Sequence, residues 1–141
     1  MAKKNTIEIE YDFNFHLWGI VSTLRDYQMC WELNKALKIK LTREPDIEIS
    51  DARKGKYMLF SLFRYYDEMD KCTYHLMSNK YYKELLLPEI KDADYFLRFS
   101  GEVPIDYIEH VTKSLKGISK IIAVIPLEPA GLKSRNNLVI E

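Results

Sequence analysis

The sequence predicts a single α+β domain, in which a mainly antiparallel β-sheet carries two helices packed on one face. Three observations lead there. Strand-length segments that alternate or run continuously apolar recur along most of the chain, whereas only two stretches show a helical period near 3.6. The resulting order, β-β-α-β-β-β-β-α-β, lacks the regular strand–helix alternation of a parallel sheet. Finally, 141 residues with no repeat, low-complexity tract or glycine–serine linker make one domain over 1–141. A chain of this length buries roughly 68% of its unfolded surface, so it needs no disulfide scaffold. Apolar residues at 47% and charged residues at 30% set it apart from disordered composition.

The elements follow in order. Ile7 and Ile9 alternate with Glu8 and Glu10, which predicts a half-buried strand near 6–11. From Phe13 to Ser22, aromatic and β-branched residues predict a second strand, with Phe13, Phe15, Leu17, Gly19 and Val21 on one face and Trp18 and Ile20 on the other. Tyr27, Cys30, Leu33, Leu37 and Leu41 then trace a helical stripe over 24–38, with Trp31 beside it, and Thr23 with Asp26 resembles a capping arrangement. Glu44-Pro45-Asp46 is a break, after which Ile47-Glu48-Ile49 predicts a short strand.

Lys56–Tyr66 and Lys71–Met77 are aromatic-rich runs joined by the acidic Asp67–Asp70, and they predict a β-hairpin. Asn79–Asp92 fits a helical turn or a short strand equally. Asp94–Ser100 predicts a buried strand ended by Gly101. Ile105, Ile108, Val111 or Thr112, and Leu115 trace the second helix, with Pro104 near its start, early acids, late lysines and Gly117 as C-cap. Ile121–Ile125, inside the run from Ile118, is continuously apolar and predicts a central strand. The tail from Pro129 to Glu141 is polar but ends in Leu138-Val139-Ile140, so a flexible tail and a docking segment are both open.

Lysine plus arginine equals aspartate plus glutamate at 21 each. No global field therefore draws the chain onto nucleic acid or anionic lipid, and nucleic acid is disfavoured as a partner. No run of about 18 apolar residues is present, and no apolar segment follows Met1-Ala2-Lys3-Lys4-Asn5, so no membrane span is expected and the location expected is cytoplasmic. Cys30 and Cys72 are expected as buried thiols rather than a disulfide.

Candidate chemistry is sparse. His16, His75 and His110 fall on three elements, and Cys72-x-x-His75 is half a zinc motif whose two side chains point to opposite faces of a strand. No metal or cofactor is expected. Phosphate-binding glycine loops and nucleophile elbows are absent, and Asp67–Asp70 lacks the glycine and terminal glutamate of a calcium loop. Carboxylates do crowd one region, at Glu89, Asp92, Asp94, Glu102 and Asp106, where a turn at Pro88-Glu89 and a strand entry at Asp94 account for them better than acid–base chemistry does.

Leu87-Pro88-Glu89-Ile90-Lys91-Asp92-Ala93-Asp94-Tyr95 resembles the signature that names the IPExxVDY family, small bacterial proteins typical of the Bacteroidetes. Asp26-Tyr27-Gln28-Met29-Cys30-Trp31-Glu32-Leu33-Asn34 is similar to that family's D-Y-x-L-x-W-x-L-N helix. The departures are Leu87 and Ala93 in place of isoleucine and valine, and three residues rather than two between Glu89 and Ala93. The resemblance brings no catalytic residues with it. Two functional readings stand. One is a cytosolic interaction or scaffold module that forms a homodimer or binds another protein, with Trp31, Tyr65, Tyr66 and Tyr74 as contact residues. The alternative is a small-molecule-binding or enzymatic domain whose pocket gathers Asn34, Glu89, Asp94 and Tyr95.

Overall fold

The computed structural model describes residues 14–139 apart from Lys54; the strand anticipated at 6–11 lies outside the described residues. In chain order the elements are β1 (His16–Ser22), α1 (Asp26–Leu37), β2 (Thr42–Asp51), β3 (Lys56–Asp67), β4 (Cys72–Ser78), β5 (Lys80–Tyr81), β6 (Glu84–Leu85), β7 (Tyr95–Ser100), α2 (Ile105–Lys116) and β8 (Ile121–Leu127). Two 3-10 turns, Pro129–Gly131 and Arg135–Leu138, follow. Six strands form one sheet in the order β2-β3-β4-β7-β1-β8, every neighbouring pair antiparallel, and β5 pairs with β6 in a small separate hairpin. The fold is α+β, as the patterning predicts.

The sheet is covered on both faces, which explains its continuous apolar runs. On the helix side, Trp18, Ile20, Tyr74, Leu76, Leu97 and Phe99 pack against Met29 and Leu33 of α1 and Val111 and Leu115 of α2. On the other side, Leu17, Phe60, Met77 and Phe96 pack under Leu86, Leu87 and Ala93 and under Leu132 and Leu138 of the tail. Phe96 and Leu97 thus belong to different cores although they are neighbours in sequence. The tail docks, through turns rather than as a strand.

Several local expectations change. α1 starts at Asp26 without help from Thr23; the Gln28 side chain instead accepts the Arg25 N–H at 2.9 Å. Its buried face is Met29, Cys30 and Leu33, while Tyr27 points outward with Trp31. Pro45 does not end a strand: the register with β3 slips between Glu44 and Ile47, and β2 continues through that irregularity as the sheet's edge, where a missing N–H is tolerated. Among the described residues the apolar run Ile121–Ile125 is not central: β8 is the opposite edge, with Ile122 and Ala123 exposed, and a continuous apolar run does not by itself distinguish a central strand from an edge.

Candidate functional site

The signature segment is organised by a residue outside it. Asn79, fully buried just after β4, donates from Nδ2 to the carbonyls of Ile90 (2.9 Å) and Ala93 (2.8 Å), and its Oδ1 accepts the Leu87 N–H at 2.9 Å. Its own backbone bridges the two ends of the loop: Leu86 N–H donates to Asn79 O, and Asn79 N–H donates to Asp94 O, both at 2.9 Å. A short polar side chain can satisfy three backbone groups at once only where the chain wraps around it. Leu86, Leu87 and Ala93 are thereby pressed into the core opposite the helices, where the Ala93 side chain meets β1 at its one glycine, Gly19. A Cβ at Gly19 would stand 3.3 Å from the Ala93 Cβ, so the two small residues allow the loop to close on the strand.

Asp94 fastens this loop to the sheet. Its N–H donates to Ile20 O, its Oδ2 accepts the Ser22 N–H at 2.8 Å, and its Oδ1 pairs with Lys80 Nζ at 2.6 Å. The next residue, Tyr95, donates its hydroxyl to Leu24 O at 2.5 Å, which ties β7 to the entry of α1. Burial, with the nearby Asp26 and Asp94 charges adding to it, raises the Tyr95 pKa, so the phenol stays a donor. Beside them lies an open cleft of about 580 Å³, bordered by Ser22, Thr23, Lys80, Lys91, Asp92 and Ile122.

The pocket residues expected from sequence do not gather in one place. Asp94 and Tyr95 border the cleft. Glu89 faces the tail instead, accepting the Ser134 N–H at 2.8 Å together with the Ser134 hydroxyl. Partial burial pushes the Glu89 pKa up, but the Ser134 hydrogen bonds outweigh it and the net direction is down. Asn34 sits near the end of α1, where it accepts the Leu41 N–H at 2.8 Å and donates to Leu41 O at 3.2 Å, closing the connection to β2.

The four aromatic contact candidates also separate. Trp31 is 59% exposed on α1, with Tyr27 one turn before it and the Lys35 ammonium 4.9 Å from its ring centroid. Tyr66 is exposed near the end of β3, on the sheet face opposite Tyr65. Tyr65 is half-buried against Tyr74, ring centroids 5.9 Å apart. Tyr74, at 2% exposure, belongs to the core: its ring meets Phe99 edge-on and its hydroxyl bonds that of Tyr107.

Other reactive groups are dispersed. Cys72 packs on the helix side, with Tyr74 and Leu76 of the same strand, and the strand alternation sends His75 to the opposite face. Among the described residues no group of three or more His, Cys, Asp or Glu side chains converges as metal ligands would. Burial raises the pKa of both the Cys30 and Cys72 thiols. His75 is buried in register with Arg64 on β3 and Arg98 on β7; burial and then those two cations lower its pKa to about 4.

Two features escaped the sequence reading. Asn79 looked like any turn asparagine, and only its place after a strand and before an apolar cluster hints that it is inside. Tyr82, in the segment left open between helix and strand, holds a left-handed φ of 53° and is 89% exposed. Its ring stands across that of Tyr81, centroids 4.7 Å apart, beside a recess of about 460 Å³ shared with Tyr57 and Met58. The adjacent pair Tyr81-Tyr82 was the available signal. No family model, curated protein or solved structure matches the chain.

Proposed function

We propose that this protein is a non-catalytic interaction module, related to the IPExxVDY proteins it resembles, that binds another protein through aromatic side chains displayed outside its two cores. The observation that carries the reading is the pair Tyr27 and Trp31, each 59% exposed on the outer side of α1, the side opposite Met29, Cys30 and Leu33. Tryptophan and tyrosine are the side chains most enriched where partners bury contact energy, and neither is needed here to close the core. The second display, Tyr57 and Tyr82 around their recess, supports the same reading. The carboxylates that an enzyme would draw on serve the fold: Asp94 holds Ser22 and Lys80, and Glu89 holds Ser134.

The test uses fluorescence as well as capture. Trp18 is buried and Trp31 exposed, so acrylamide should quench one tryptophan readily and the other poorly. Protein captured from host lysate should retain a partner that shields Trp31 from quencher, and Tyr27→Ser with Trp31→Ser should lose that partner without lowering the melting temperature. Retention of the same partner by the double variant would sink the proposal. A ligand reading rests on the cleft beside Asp94. It would be favoured instead if Asp94→Asn abolished retention of a small molecule while folding stayed intact.

A further inference from the structure

The two edges of the sheet differ in charge. β2 carries Arg43, Glu44, Asp46, Glu48 and Asp51, which discourage another strand from pairing, whereas a proline and a register irregularity occur on both edges, at Pro45 in β2 and at Pro126 and beside Ile122 in β8. From Ile121 to Leu127, β8 has no charged residue, and Ile122 is 69% exposed there. Among the described residues no strand pairs with its outer side. Pro126 lacks an N–H, so the pairing of Gly19 with Ile125 turns the Ile125 backbone groups inward toward β1 and those of Val124 outward.

We propose that this edge is a self-association surface, on which two copies of the chain join β8 to β8 in antiparallel fashion and merge their sheets. Charge identifies the occupant. Lys120 precedes the strand and Glu128 follows it, both exposed, and neither side chain forms an ion pair or hydrogen bond among the described residues. An antiparallel pair centred on Val124 sets Val124 against Val124 of the second copy, Ile122 against Pro126 and Lys120 against Glu128, the last two occurring twice by symmetry. A parallel pair would set lysine near lysine and glutamate near glutamate. Pro126 has no N–H to give, so each Ile122–Pro126 pair forms at most one backbone bond, while the central Val124 pair keeps both of its bonds. The surface is on β8 and the pair Tyr27 and Trp31 on α1, so this inference stands independently of the interaction reading.

The experiment is sedimentation equilibrium of the full chain over a concentration series, with hydrogen exchange on the same samples. The expected mass is twice 16.7 kDa, with the Val124 amide protected only in the dimer. Ile122→Lys, at an exposed position, should weaken association by roughly tenfold or more while leaving the circular dichroism and melting unchanged. Lys120→Glu alone should weaken it, and Lys120→Glu with Glu128→Lys should restore it. Tyr27→Ser with Trp31→Ser should remain dimeric. A monomer at every concentration overturns the proposal; if its Val124 amide is nonetheless protected, residues 1–13 of the same chain cover the edge. A dimer indifferent to Ile122→Lys, or a charge swap that fails to restore pairing, also overturns it.

Discussion

Replacing Asn79 with alanine would remove three hydrogen bonds at once, and their surroundings set the magnitude. Leu87 and Ala93 are fully buried, so the Leu87 N–H and the Ala93 carbonyl would be left without water. Each orphaned group costs about 1–3 kcal/mol, whereas the Ile90 carbonyl, in a half-buried residue, can recruit solvent and loses about 1 kcal/mol. The sum is about 5 kcal/mol, a large part of the 5–15 kcal/mol typical of a folded domain. With a urea slope of about 2 kcal/mol/M, the unfolding midpoint should fall by about 2.5 M. Asn79→Asp supplies the control for chemistry. An ionised carboxylate still accepts the Leu87 N–H but faces two carbonyls, so its folded-state pKa is raised. Relative to the parent protein, this variant should be weakest at neutral pH and recover as the pH falls toward the unfolded aspartate value. A midpoint shift corresponding to less than about 1 kcal/mol for Asn79→Ala would refute the idea that this side chain holds the Leu87–Asp94 loop.

Three further outcomes are expected. His75, with a folded pKa of about 4 against about 6.5 unfolded, contributes stability that is complete above pH 6.5 and is lost as the pH falls toward 4. The loss, about 3 kcal/mol at most, should vanish in His75→Gln; equal pH profiles for the two proteins in urea unfolding would contradict it. Glu89, whose pKa is lowered in the fold, holds the Ser134 turn best while ionised, so the protection of amides around Ser134, taken relative to their intrinsic exchange rates, should fall as the pH drops from the unfolded glutamate value through the lowered folded one, and should be reduced near neutral pH in Glu89→Ala. Both cysteines, buried and with raised pKa values, should resist a thiol reagent until urea unfolds the chain; fast native labelling of either would mean that its burial is misjudged.

The parts of the fold legible in the sequence were those fixed by local period. Both helices, the β3–β4 hairpin and the assignment of Trp18 and Ile20 to one face of β1 and Leu17 to the other follow from side-chain alternation, which tertiary packing had no reason to override. What was not legible depends on which strand lies beside which. Ile121–Ile125 has the composition of a central strand and the position of an edge, and nothing within five residues encodes the order β7-β1-β8. The candidate site failed to assemble for the same reason. Glu89, Asp94 and Tyr95 are close in sequence, yet successive bonds turn Glu89 toward Ser134, Asp94 toward Ser22 and Tyr95 toward Leu24. Those partners lie 45, 72 and 71 residues away, so a cluster in sequence became three anchors in space. The Leu87–Tyr95 signature therefore reads as the place where the chain's remote segments are stitched together. Substitutions there should first be read as stability measurements, while the search for function moves to the side chains that the stitching leaves outside.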